Sequence, residues 1–405
     1  MVTLDLDWTS SLATRVRALP AGAAALADIL ALASSTEIIT FSGGFPAPET
    51  FPTQLLHEMT GDLLRNDPSV ALQYSPTRGL PSVLETVAGN LLRREDRRPG
   101  DDELMMTSGG IDALELLSKS LLDPGDLVLA EAPTYLGALM AFHSYQARVV
   151  AVPTDQDGLN VDELEKALRS GAGPKFLYTI PDHQNPSGLT LSQERRIALV
   201  DLARQHHLLI LEDVAYRELS FSGTRLDSLW SIAPDVVVQL GTYSKTFFPG
   251  IRLGWAVGPR QLVSRMVQAK QNSDQCAGAF GQRLIQEYMT GGHMDRQLPL
   301  SRALYARRAA VMLDALAQHM PAEVTWTVPT GGFFTWVTAP GVSTTELARR
   351  SAAAHVAFVP GAPFYPDDRG HDQMRLSFSR AKEPDMYEGV RRLADLLTTY
   401  RKEYP

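Results

Sequence analysis

Five short, mainly apolar runs, some separated by stretches of helical spacing, constrain this chain most: Leu127–Ala130, Phe176–Ile180, Leu208–Leu211, Val236–Leu240 and Leu253–Val257. A strand with apolar residues at successive positions must be covered on both faces, and interleaved helices supply that cover. Helical spacing appears in Ile111–Leu117 and Glu194–His206. The pattern predicts an α/β fold, a mostly parallel central sheet with helices on both faces. At 405 residues the chain has room for two or three packed units. The pattern changes near Thr290-Gly291-Gly292. An amphipathic helix over about Arg296–His319, strands at Gly332–Val337 and Met374–Phe378, and a closing helix at Met386–Arg401 predict a smaller α+β domain. The expected division is an N-terminal arm over residues 1–45 packing with the smaller domain, a large domain over 46–290, and the smaller domain over 291–405. One continuous domain is the alternative.

Charge and cysteine usage exclude several classes. The formal net charge is −8, without the basic stripe that a nucleic-acid partner requires. A single cysteine, Cys276, rules out an intramolecular disulfide framework and suits a reducing compartment. The opening residues Met1–Trp8 lack the basic and apolar regions of a secretory signal. The apolar run Ala21–Ala33 is too short to cross a membrane and is interrupted by Asp28. Its alanine-rich part, Ala21–Ala27, reads as a helix start rather than a linker. A cytoplasmic protein with no membrane partner is expected.

The chemistry concentrates in Thr242-Tyr243-Ser244-Lys245-Thr246-Phe247-Phe248-Pro249-Gly250-Ile251-Arg252. An amine that attacks a carbonyl needs surroundings in which its proton leaves easily. Hydroxyls and an arginine beside it form a phosphate-holding cluster. Together they point to a Schiff base with a phosphorylated carbonyl cofactor, pyridoxal phosphate (PLP); the bland alternative is a surface turn with an incidental lysine. In a parallel sheet, ligand groups gather where strands end at their carboxyl side. Asn185 follows the run ending at Ile180, Asp213 and Tyr216 follow Leu211, and Lys245 follows Leu240. Singly, each has an ordinary reading: Asn-Pro is a turn dipeptide and Asp213 could cap a helix. Ser108-Gly109-Gly110 precedes a helix near Ile111, where backbone N–H groups and the helix dipole favour a phosphate; a plain serine cap is the alternative.

From about Phe41 to the C-terminal helix, with Asn185, Asp213, Tyr216, Lys245 and Arg252 in order, the chain resembles the fold-type I PLP enzymes of the class I/II aminotransferases. It is most similar to their 2-aminoadipate/kynurenine branch. The resemblance implies that Lys245 carries the cofactor and shuttles the proton. Asp213 would pair with the ring nitrogen, and Asn185 and Tyr216 would hydrogen-bond the ring's phenolate oxygen. Ser108, Gly109, Gly110, Thr242, Ser244 and Arg252 would hold the phosphate, and Tyr135 would stack on the ring. Tyr74 would reach a phosphate across the interface of a homodimer. Arg375 would bind the substrate α-carboxylate, with Gly44 and Asn185 beside it.

The resemblance also implies a mobile specificity helix within Leu26–Pro48. Dicarboxylate-specific relatives carry an arginine there, whereas this chain has no Lys or Arg between Arg17 and Arg65. Arg15 and Arg17 lie several residues out of register. Phe45, Phe364 and Tyr365 would line the pocket, favouring neutral, aliphatic or aromatic amino donors over 2-aminoadipate, with 2-oxoglutarate as an acceptor. Cys276 reads as packing, because no His or Lys stands beside it in the sequence. A β-lyase or decarboxylase would use the same residues. A PLP-sensing regulator would need a basic DNA-binding helix that is not visible.

Overall fold

The computed structural model describes residues 8–17, 38–171 and 173–404. The expected helix start at Ala21–Ala27 and most of the specificity segment lie outside them. Strand β1 (Ile39–Thr40) precedes a large sheet built from β2 (Leu104–Thr107), β3 (Leu127–Ala132), β4 (Arg148–Asp155), β5 (Gly158–Leu159), β6 (Phe176–Thr179), β7 (Leu209–Asp213), β8 (Val237–Thr242) and β9 (Gly254–Val257). Their order is β2-β9-β8-β7-β6-β3-β4-β5. The run β8-β7-β6-β3-β4 is parallel throughout.

The apolar runs became doubly covered strands for the reason the sequence implied. On β6, Leu177 joins one core while Phe176 and Tyr178 join a second one. Likewise Ile210 and Val237 face the first core, and Leu211 and Val238 the second. Successive side chains point to opposite faces, so both faces must be apolar. Three features differ from the expectation. The run at Leu253–Val257 forms β9, which is antiparallel to both neighbours. Strand β4 was not anticipated, because its exposed and half-buried residues alternate near the sheet edge instead of forming an apolar run. Strand β2 is short and has the same antiparallel relation to β9.

From Thr325 onward, β10 (Thr325–Trp326), β11 (Phe334–Thr338), β13 (Val359–Pro360) and β14 (Gln373–Ser377) form an antiparallel sheet in the order β10-β11-β14-β13. The remaining strand, β12 (Val356–Ala357), pairs in parallel with β1. That pairing ties the segment leading to Gly44 to the C-terminal part of the chain. The predicted long helices run over His293–His319 and Glu383–Glu403.

A buried ion cluster fixes the loops at the carboxyl ends of β6 and β7. Arg217 donates to both oxygens of Glu95 (2.7 and 2.9 Å) and to Asp182 (2.8 Å). Arg196 donates to the other oxygen of Asp182 at 2.7 Å. Burial opposes the charge on Asp182, but the Arg217 and Arg196 guanidiniums outweigh it and hold this carboxyl well below the usual range. Removing one member of a buried cluster strands the others. Arg217→Met should therefore lower unfolding free energy by about 3–5 kcal/mol in urea titrations at pH 7. The part due to Asp182 is present above an ordinary carboxyl pKa of about 4 and shrinks as pH falls through the lower folded value.

Candidate active site

One cavity of about 330 Å³ opens at the carboxyl ends of β6, β7 and β8. Lys245, Asp213, Asn185, Tyr216, Tyr135, Thr242, Ser244, Arg252, Gly110, Gly44 and Arg375 all line it. Residues separated by more than three hundred positions thus meet in one space, as the strand-end geometry implied.

Lys245 Nζ donates to the Gly44 carbonyl at 2.9 Å and stands 5.9 Å from the ring centres of both Tyr216 and Phe333. Its side chain keeps partial access through the cavity, yet desolvation dominates its titration. Burial, then the positive charge of Arg375, lowers its pKa to about 8; Asp213 opposes the shift and Arg252 adds to it. Gly44 itself sits close against the Phe334 ring, from which a Cβ would stand only 2.5 Å.

Asp213 ends β7 and does not cap a helix. Its carboxylate accepts from Tyr178 Oη (2.8 Å) and from the Ala215 N–H (3.1 Å). Burial raises its pKa, against the lowering effect of those hydrogen bonds and of Lys245. Arg375, on β14, donates to Asn185 Oδ1 (2.8 Å) and to the Ser42 carbonyl (2.6 Å). The rings of Phe334 and Phe364 flank its guanidinium at 4.3 and 5.0 Å, and its buried Nε has no partner. Burial lowers its pKa to about 10.

At the other end, Thr242 Oγ1 donates to Ser244 Oγ (3.0 Å), and Arg252 Nη1 reaches the same hydroxyl at 3.4 Å. The exposed Arg252 lies against Gly109, whose φ of 102° belongs to glycine and whose Cβ would come within 2.7 Å of the guanidinium. The helix Gly110–Leu121 begins there, aiming its first backbone N–H groups at the same space.

Several expectations need revision. The Ser108 side chain does not face the cavity: its hydroxyl donates to Asp274 (2.5 Å) and accepts from Lys270 (3.2 Å), so only the backbone of this turn is available. Phe364 packs beneath Arg375 and Trp336, and Tyr365 packs on Trp336 and donates to Gln373 (2.7 Å), so neither lines the cavity. Phe45 does line it. The expectation for Tyr74 is not among these: the residue is exposed and lies outside this chain's own cavity, which its expected reach across an interface requires. Arg15 lines a separate cavity with Glu115 and Tyr145, and Arg17 is exposed.

Residues that sequence reading missed support the others. Lys270 ties Asp112 (2.8 Å) and Asp274 (2.7 Å) around the Ser108 turn. Asp112, in the first turn of its helix, was a readable capping signal. The Lys270 contact, 158 residues away, was not.

Comparison with known proteins agrees with the geometry. The family model "Aminotransferase class I and II" matches residues 36–393. The chain is 37% identical over 394 residues to the aromatic-amino-acid aminotransferase 1 of Thermococcus litoralis, covering 96% of this chain and 94% of the relative. It is 38% identical over 380 residues to the 2-aminoadipate transaminase of Thermus thermophilus, covering 93% and 94%. The crystal structure of the Thermus thermophilus alpha-aminoadipate aminotransferase with N-(5'-phosphopyridoxyl)-L-leucine superposes with a TM-score of 0.91 at 36% identity, covering 98% of this chain and 100% of that one. This chain belongs to the class I and II aminotransferases. It is a PLP-dependent enzyme that acts on an amino acid and a 2-oxo acid.

The residues present fit PLP. A depressed amine faces the cavity, a carboxylate lies at its base, and hydroxyls with a guanidinium gather at a helix N-terminus. An amine with a pKa near 8 reacts with an aldehyde at far lower pH than an ordinary lysine near 10.4. Stopped-flow mixing of apoenzyme with PLP should give an association rate that rises with pH to a midpoint near 8. A midpoint near 10 would show that Lys245 is not desolvated as described.

Proposed function

We propose that the enzyme moves an amino group between an L-amino acid and a 2-oxo acid in two alternating half-reactions, with 2-oxoglutarate as one acceptor. The observation that carries the proposal is that Lys245, Asp213 and Arg375 line the same cavity. When bound there, PLP supplies a ring that takes up the electron pair of the broken Cα–H bond. Asp213 would keep the ring nitrogen protonated, and Asn185 and Tyr216 would donate to the phenolate oxygen. Tyr135 would stack on the ring. The backbone of Ser108-Gly109-Gly110, with Thr242, Ser244 and Arg252, would hold the phosphate.

The chain's own groups then do the rest. Arg375 exchanges its internal partners for the substrate α-carboxylate, a bidentate contact that fixes which Cα bond stands perpendicular to the ring. Lys245 Nζ accepts the Cα proton and would deliver it to the cofactor's former aldehyde carbon in the same half-reaction; in the second half-reaction it would carry a proton the opposite way, to Cα of the new amino acid. Its lowered pKa suits both tasks near neutral pH.

Donor choice rests on the remaining lining. Phe45, Ile111, Leu114 and Phe334 present apolar surface, which supports neutral, aliphatic or aromatic donors over 2-aminoadipate. The 2-aminoadipate transaminase relative argues for the opposite preference, so the donor is a point of test. The exposed Tyr74 ring, three-quarters accessible, supports a homodimer in which it reaches the partner's phosphate site. The division at residues 46–290 and 291–405, and a cytoplasmic location, belong to the same reading.

Lys245→Ala should cut turnover roughly 10⁴-fold, and Arg375→Lys should raise the donor KM roughly 10- to 100-fold through loss of a charged hydrogen-bonded pair. In a panel of phenylalanine, leucine, kynurenine and 2-aminoadipate against 2-oxoglutarate, the first three should be preferred. Ammonia or carbon dioxide released without a 2-oxo acid would instead indicate lyase or decarboxylase chemistry.

A further inference from the structure

Tyr178 stands on β6, one strand away from Asp213 on β7, and its Oη donates to Asp213 Oδ2 at 2.8 Å. The side chain is fully buried. Phe142 packs edge-on against its ring, with centroids 5.6 Å apart, so the hydroxyl has little freedom to turn elsewhere. The other oxygen of Asp213 accepts from the Ala215 N–H. Asp213 is thus held by one donor from the neighbouring strand and one from its own loop. Only the first is a side chain.

We propose that Tyr178 is a positioning residue for the cofactor's ring nitrogen, acting through Asp213. Its hydroxyl fixes the rotation of the carboxylate and withdraws charge from it. Asp213 therefore pairs with the protonated ring nitrogen without taking the proton for itself. This inference rests on the assignment of Asp213 to the ring nitrogen. Other groups act on Asp213 as well: Lys245 from the loop after β8, Tyr135 at the helix after β3, Glu131 on β3, and Tyr216 beyond β7. None of these donates a hydrogen bond to its carboxylate; Tyr178 does.

Deleting the hydroxyl makes Asp213 more basic and shifts the shared proton towards the carboxylate. A less positive ring then lets the nitrogen that links it to Lys245 keep its proton to higher pH. The experiment uses full-length holoenzyme and apoenzyme carrying Tyr178→Phe, which keeps the ring packed on Phe142. Thermal melts of the apoenzyme establish that it is folded. We expect the dissociation constant for PLP to rise roughly three- to thirtyfold, less than loss of a direct hydrogen bond to a charged group would give, because Tyr178 acts one step away from the ring. The pH midpoint of the visible absorption band should move up.

Two further arms isolate the cause. With a PLP analogue whose ring nitrogen is replaced by CH, Tyr178→Phe should alter affinity less than twofold. In an Asp213→Asn background it should not shift the midpoint further. Phe142→Leu, which loosens the ring but keeps the hydroxyl, provides a second variant should Tyr178→Phe not fold; it should move the midpoint in the same direction by a smaller amount. An unchanged midpoint and PLP affinity in folded Tyr178→Phe would overturn the inference, as would equal effects with the CH analogue. Failure of Asp213→Asn alone to weaken PLP binding would instead overturn the prior assignment of Asp213.

Discussion

An amine must lose its proton before it can attack a carbonyl, and the site is organised around making that easy for Lys245. Burial does most of it, and the neighbouring charge of Arg375 adds to it. A surface lysine with the same neighbours would stay charged, screened by water. The low polarity of the site also strengthens every contact made with the same cavity, including the hydrogen bonds to Asp213. Depressed amine, buried carboxylate and buried guanidinium are consequences of one enclosed space.

The sheet makes that space possible. Because β6, β7 and β8 run parallel, their carboxyl ends open on the same side, and Asn185, Asp213 and Lys245 leave them as neighbours. A parallel sheet must also be covered on both faces, which keeps the strand ends rigid. Arg375 comes from a different, antiparallel sheet. The β1–β12 pairing brings Gly44 to the same place from near the start of the chain. The buried cluster of Arg217, Arg196, Asp182 and Glu95 then holds the loops that follow β6 and β7.

How much of this was legible depended on whether a residue's role was local. Lys245, Asp213 and Asn185 could be picked out because each follows an apolar run, and the runs themselves announce a doubly covered sheet. Strand β4 was missed because, near the sheet edge, it alternates exposed and half-buried residues and resembles loop. The direction of β9 was not readable, since an apolar run looks the same in either sense. Ser108 was readable as part of a glycine turn before a helix, but its hydroxyl is drawn away by Lys270 and Asp274, a contact spanning more than 150 positions. Phe364 and Tyr365 were assigned to the pocket wall, but sequence does not distinguish that from packing on Trp336, where both rings lie. Tyr178 gave no signal at all, because a tyrosine in a buried strand is ordinarily core.

The most direct test is chemical. Holoenzyme reconstituted with PLP is reduced with borohydride, digested and mapped by mass spectrometry. A stable phosphopyridoxyl adduct is expected on the peptide containing Lys245 and on no other lysine. Label on a different lysine, or none on a protein that retains PLP, would contradict it.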